Sequence, residues 1–225
     1  MGKVSVAEIK ELMTATGVGM MDCKKALVEA DGDMEKAAEL LRERGIAKAV
    51  KKEGRIAAEG VVGAYVSGNT GVLLEINCES DFVSKGEKFH GIVDSVAKVV
   101  AENKPADVEA LNACPMDGGT VKDFITSQTA VIGEKISIRR FEIIETAGKI
   151  ETYIHMGGKV GVLVNLAVEG IADMAKVVEV GKDVAMQICA MNPTFLDKSD
   201  VDQATLDKEK EILMVQAKED PKNAS

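Results

Sequence analysis

Apolar residues recur every three to four positions through the first 45 residues and every second position in the stretch from about residue 61, so the chain changes from helical to strand patterning after its first 45 or so residues. Ser5 and Glu8 have the spacing of a capping box. Behind them Ile9, Leu12 and Met13 keep a helical period, which predicts a first helix over about residues 6–15. Gly17-Val18-Gly19 turns the chain, and a second helix beginning at Met21 or Asp22 carries Ala26, Leu27 and Ala30 inward before Asp31-Gly32 closes it. Asp33 caps a third, on which Met34, Ala37, Ala38 and Leu41 form one stripe and Gly45 is expected as a left-handed carboxyl cap. The pattern predicts a three-helix module over residues 1–45.

Residues 46–57 hold four basic side chains and no decisive hydrophobic period, and are expected to be a linker with a solvated face, in part helical. Alternation then sets in. Val61 to Val66, a turn at Ser67-Gly68-Asn69, and Gly71 to Ile76 predict a β-hairpin. A near copy follows: Tyr153-Ile154-His155, a turn at Met156-Gly157-Gly158-Lys159 two residues longer, and Gly161 to Leu166. A long helix is expected after each hairpin, one with Phe89, Ile92, Val93, Val96 and Val100 inward, the other with Val177, Val180, Val184, Ile188 and Met191. Between the copies, residues 121–128 read as helix and 135–144 as strand, with Gly118-Gly119 and Ala147-Gly148 as punctuation. The predicted fold class is α+β: the three-helix module, then a duplicated antiparallel sheet-plus-helix core, with subdomains at 58–145 and 146–225.

Composition narrows the partners. A net charge of −9 and a pI near 4.9 argue against a broad phosphate-binding face and hence against direct nucleic-acid binding. Cys23, Cys78, Cys114 and Cys189 are too scattered for a zinc knuckle, so reduced thiols in a cytoplasm are expected and no metal or cofactor. No stretch is long and apolar enough to span a bilayer. Met1-Gly2 opens like a myristoylation signal, but Val6 stands where that signal needs serine or threonine.

Two stretches carry the candidate chemistry. The glycines before Met20 and Met21 lack the lysine and serine or threonine of a phosphate loop, which leaves two thioethers at a helix mouth as an adaptable docking surface. Asn77-Cys78-Glu79-Ser80-Asp81-Phe82-Val83 lies between a strand and a helix, placing Asp81 and Phe82 at an exposed corner. By residue chemistry alone Phe82 could instead fold onto its own core while Asp81 caps the helix. Cys78, without an identifiable base or oxyanion hole, reads as a small apolar strand residue, and Cys23 as structural too.

The run Thr16-Gly17-Val18-Gly19-Met20-Met21-Asp22-Cys23-Lys24-Lys25-Ala26-Leu27 resembles the amino-terminal module, of ubiquitin-associated type, of the elongation factor Ts family, and Ser80-Asp81-Phe82-Val83 resembles that family's Thr-Asp-Phe-Val motif with serine for threonine. The resemblance extends from Ile9 to about Ala217. It implies a non-enzymatic guanine nucleotide exchange factor, acting without cofactor, whose partner is the translational GTPase elongation factor Tu. On this resemblance Ser80, Asp81, Phe82 and Val83 form a wedge beside the partner's magnesium and phosphate site, and Met20, Met21, Ile132, Gly133, Glu134 and His155 belong to the contact surface. Two departures stand out. Met13 occupies a position where the family often has arginine, and the chain stops soon after the helix at residues 206–217, as a truncation or as a short form that compensates by forming a homodimer. The rivals are an adaptor whose core merely presents the helical module, and an enzyme using the Cys78 thiol.

Overall fold

Ser5 opens the first helix as its spacing requires, its hydroxyl accepting from the Glu8 amide at 3.1 Å while the Glu8 carboxylate accepts from the Ser5 amide at 2.7 Å. In the computed structural model, which describes residues 4–219, this helix is α1 (Val6–Thr16), ended by Gly17 at φ 65°. The Met1-Gly2 expectation and the chain end at 221–225 lie outside the described residues. α2 (Met20–Glu29) and α3 (Met34–Val50), the latter capped by Asp33, complete a small bundle around Ile9, Leu12, Cys23, Ala26, Leu27, Ala30, Ala37 and Leu41.

Gly45 is not a carboxyl cap. It sits inside α3, which continues to Val50, and a Cβ there would lie 3.1 Å from the Ala130 Cβ. A glycine read as a helix stop is therefore a close-packing residue, and the first residues of the expected linker are helical. The remainder keeps the expected solvated face, with most of residues 51–57 exposed, and is also strapped down. Lys52 Nζ donates to the Gly133 carbonyl at 2.6 Å, Lys135 Nζ donates to the carbonyls of Glu53 and Arg55, and Arg55 pairs with Glu79 at 3.1 Å.

β1 (Glu59–Ser67) and β2 (Thr70–Cys78) form the first hairpin in full antiparallel register, Ser67 opposite Thr70 and Glu59 opposite Cys78. A short helix α4 (Asp81–Ser84) leads into α5 (Glu87–Asn103), and Phe89, Ile92, Val93, Val96 and Val100 are buried on the face that packs against Val72, Leu74 and Ile76. Gly63 admits α5 to the sheet, since a Cβ there would stand 2.4 Å from Val93 Cγ1. Then come α6 (Val108–Ala113), a two-rung ribbon of β3 (Pro115–Met116) and β4 (Gly119–Thr120), α7 (Val121–Ile132), and β5 (Ser137–Glu145), which pairs with β2 to give the order β1-β2-β5.

The second hairpin, β6 (Lys149–His155) and β7 (Val160–Leu166), is a separate two-stranded sheet laid on the first. The sheets approach where glycines remove side chains: a Cβ on Gly71 would meet Ile150 at 2.8 Å, and one on Gly161 would meet Val62 at 2.6 Å. α8 (Met174–Met191) covers this hairpin by a stripe that keeps Val177 and Ile188 of the expected set but not Val180, Val184 or Met191. Val177, Gly181 and Ala185 are buried, whereas Val180, Val184 and Met191 are exposed. Small residues win the contact because they let the helix backbone approach Glu151 and Leu166, 2.6 and 2.8 Å from a Cβ on Gly181. The chain to Cys189 forms one compact unit and Ala190–Ser225 a second, whose described part contains a 3-10 turn at Lys198–Asp200 and α9 (Gln203–Glu219). The class is α+β, as patterning predicts. No helix among the described residues is long and apolar enough to cross a membrane.

Candidate functional site

Phe82 is 89% exposed, the largest apolar side chain so fully offered to solvent near any element junction of the first unit. It does not fold back. The backbone explains why. β2 delivers Cys78 into the buried core, Ser80 turns in an extended conformation and N-caps α4 with its hydroxyl toward the Val83 amide, and Val83 packs inward, so one turn of helix leaves Phe82 on the outer side.

The corner is fastened from a distance in sequence. Glu134 Oε2 accepts from the amides of Glu79 at 3.1 Å and Ser80 at 2.9 Å, and its Oε1 accepts from the Ser80 hydroxyl at 2.5 Å. A reciprocal bond runs back: the Glu79 carboxylate accepts from the Lys135 amide at 2.6 Å, and this bond, ahead of the Arg55 pairing, holds the Glu79 carboxyl below its ordinary range. The strand-to-helix corner at 79–82 and the helix-to-strand corner at 133–135 thus form a clasp.

Asp81 points to Lys85 one turn on, at 2.7 Å, and the hydrogen bond from that ammonium lowers the Asp81 pKa. Its charge is available to a partner at neutral pH. Cys78, fully buried beneath the corner, donates to the Ser80 carbonyl, and its thiol is pushed up to about 11, first by burial and then by the Glu134 carboxylate. A thiol so protonated is a poor nucleophile at neutral pH.

The other candidates lie in three places. Lys159 of the second hairpin's turn pairs with Glu59 at 2.6 Å, and Gly158 accepts from the Val62 amide at 2.7 Å. Glu59 is opposite Cys78, so this turn lies at the same end of the sheets as Phe82. His155, its Nδ1 2.9 Å from the Tyr153 hydroxyl, is half-buried there, and Met156 beside it is exposed. Gly133, the left-handed cap of α7, is exposed at the clasp, while Ile132 packs on the core. Met20 and Met21 are exposed at the start of α2, next to the Gly17 turn that approaches Val131 and Lys88. Patterning locates the corner but does not mark Lys85, Glu79 or Lys135. The Asp81–Lys85 pair was readable from its i, i+4 spacing; the clasp has no local signal.

The α+β scaffold holds an aromatic ring outward on a hydrogen-bonded corner. Residues 79–225 match the family model described as Elongation factor TS. The chain is 51% identical over 218 residues to elongation factor Ts of Clostridium perfringens, 49% over 220 residues to that of Clostridium kluyveri and 47% over 219 residues to that of Lactiplantibacillus plantarum. These alignments cover 95–96% of this chain and 71–73% of each relative. The chain belongs to the elongation factor Ts family of translation elongation factors.

Proposed function

We propose that this chain is a guanine nucleotide exchange factor, which binds elongation factor Tu carrying GDP and promotes GDP release so that GTP can load during protein synthesis. The observation that carries this is Phe82, exposed and rigidly mounted beside the ionised Asp81. A GTPase grips GDP through backbone amides around the β-phosphate and through a magnesium ion whose octahedral shell tolerates little displacement. Burying the Phe82 ring in the partner supplies about 2–3 kcal/mol, enough to favour a partner conformation that holds nucleotide poorly. Because coupling is reciprocal, incoming nucleotide weakens the factor's grip by the same ratio, and the factor is released to act again. No bond is made or broken, and no cofactor of its own is needed.

In this function Ser80, Asp81, Phe82 and Val83 form the wedge. Met20 and Met21 on the module at residues 1–45, with Gly133 and His155 on the core, form the docking surface, and the protein works in the cytoplasm. Replacing Phe82 with alanine separates exchange from tethering. We expect F82A to retain binding to nucleotide-free elongation factor Tu within about tenfold, while its limiting rate of GDP release falls by at least about tenfold, the equivalent of half the ring's burial. An F82A protein that exchanges at the wild-type rate takes the wedge role away from Phe82, and wild-type protein that binds without accelerating GDP release identifies the chain as an adaptor.

A further inference from the structure

Both side-chain oxygens of Glu134 are engaged inside the molecule, Oε2 on the amides of Glu79 and Ser80 and Oε1 on the Ser80 hydroxyl. We infer that Glu134 is a positioning residue for nucleotide exchange, acting across 52 residues of chain to fix the corner that aims Phe82; this rests on the exchange function proposed above.

The geometry supports this over a simple contact role. The two amides it holds are those of Glu79 and Ser80, the last residues before α4, and they have no strand partner, since the pairing of β2 stops at Cys78. Without an acceptor these donors turn to water and the corner gains alternative backbone states. The Ser80 hydroxyl, which also caps α4 at Val83, is oriented by donating to Glu134, so one carboxylate sets both the turn and the first residue of the helix bearing Phe82. The return bond from Lys135 to Glu79, and the Arg55 pairing on the same Glu79, keep the clasp in register. A ring on a wandering corner still binds but reaches the strained partner conformation less often, so the loss belongs to the limiting rate and not to affinity.

The test uses the full chain and fluorescent GDP bound to elongation factor Tu, with limiting rate and half-saturating concentration measured separately. E134A is expected to lower the limiting rate about tenfold, the scale of losing hydrogen bonds to a charged group, with half-saturation nearly unchanged. E134Q, whose amide oxygen can accept from the two backbone amides while its NH2 donates to the Ser80 hydroxyl, should recover most of the rate. The double variant E134A/F82A should be no slower than F82A alone, since Glu134 works through Phe82. In the free protein, hydrogen exchange at the Glu79 and Ser80 amides should accelerate in E134A while α5 amides keep their protection, a readout independent of any partner. Additive losses in the double variant, or a raised half-saturation with an intact limiting rate, would overturn the inference by making Glu134 a direct contact. If E134A fails to fold, the same comparison is made with E134Q and S80A, where S80A must slow exchange and E134Q must not. Wild-type protein that does not accelerate release at all defeats the exchange function itself, and is told apart from failure of the clasp by the hydrogen-exchange result.

Discussion

Phe82 gains nothing for its own fold by standing in water, and the proposed function gives its ring a value only on burial in a partner. Its removal should leave the melting temperature within about 2 °C of wild type, since exposed substitutions away from special features usually change stability by under about 0.5 kcal/mol; a calorimetric scan of F82A checks this. Cys78 beneath it behaves oppositely. Its thiol titrates near 11 in the folded protein against an ordinary value of 9.0. Between those values the unfolded chain has given up a proton that the folded chain keeps, so stability falls as pH rises through that window. Replacing Cys78 by alanine should flatten that alkaline loss, measured as the difference in urea midpoint between about pH 8 and about pH 10.5, and native wild-type protein at about pH 8 should leave Cys78 unalkylated. At this scale the sequence disclosed Phe82 and Asp81 through a local run of residues. It could not disclose what Glu134 does, because its partners Glu79 and Ser80 lie more than fifty positions away.

At the scale of elements, regular alternation and caps were legible where one physical rule governs a segment. The first hairpin, α5 and the capped start of α1 follow from period, turn and cap chemistry. On α8 a hydrophobic period picks out the large residues Val180 and Val184 together with Val177 and Ile188, whereas close approach to the second hairpin selects Gly181 and Ala185 beside the latter two. Gly45 departs from its expected role for a related reason: a glycine near a helix end can serve the turn or the neighbour, and only the position of Ala130 decides. The turn of the second hairpin offers a paired test. Gly158 has φ 94° and a Cβ there would be 2.6 Å from Val61 Cβ, so G158A combines left-handed strain with overpacking and should cost about 3 kcal/mol in urea unfolding. Gly157, at φ 63° with open space around it, should accept asparagine within about 1 kcal/mol.

On the scale of the molecule, the first unit brings three pieces of sequence to bear on one task. The helical module leans on α7 through α3, the α7 end and the α4 corner are clasped together, and the second hairpin's turn is tied to the start of β1. Met20, Met21, Phe82 and His155 are thereby held on one framework and not on independent tethers. Replacing Gly45 with leucine should separate α3 from α7, because the Ala130 side chain has no freedom to yield. The expected outcome is faster hydrogen exchange along the contacting faces of α3 and α7, together with weaker binding to elongation factor Tu and a limiting exchange rate reduced less than the affinity.

The central claim is that an outward aromatic corner drives guanosine diphosphate from another protein's site. Elongation factor Tu loaded with a fluorescent GDP analogue, mixed in a stopped-flow instrument with excess unlabelled GDP, reports release directly. Adding this protein should speed the decay by orders of magnitude, in a manner that saturates with its concentration and collapses with F82A. A decay that keeps its unassisted rate at every concentration of folded protein would contradict the account.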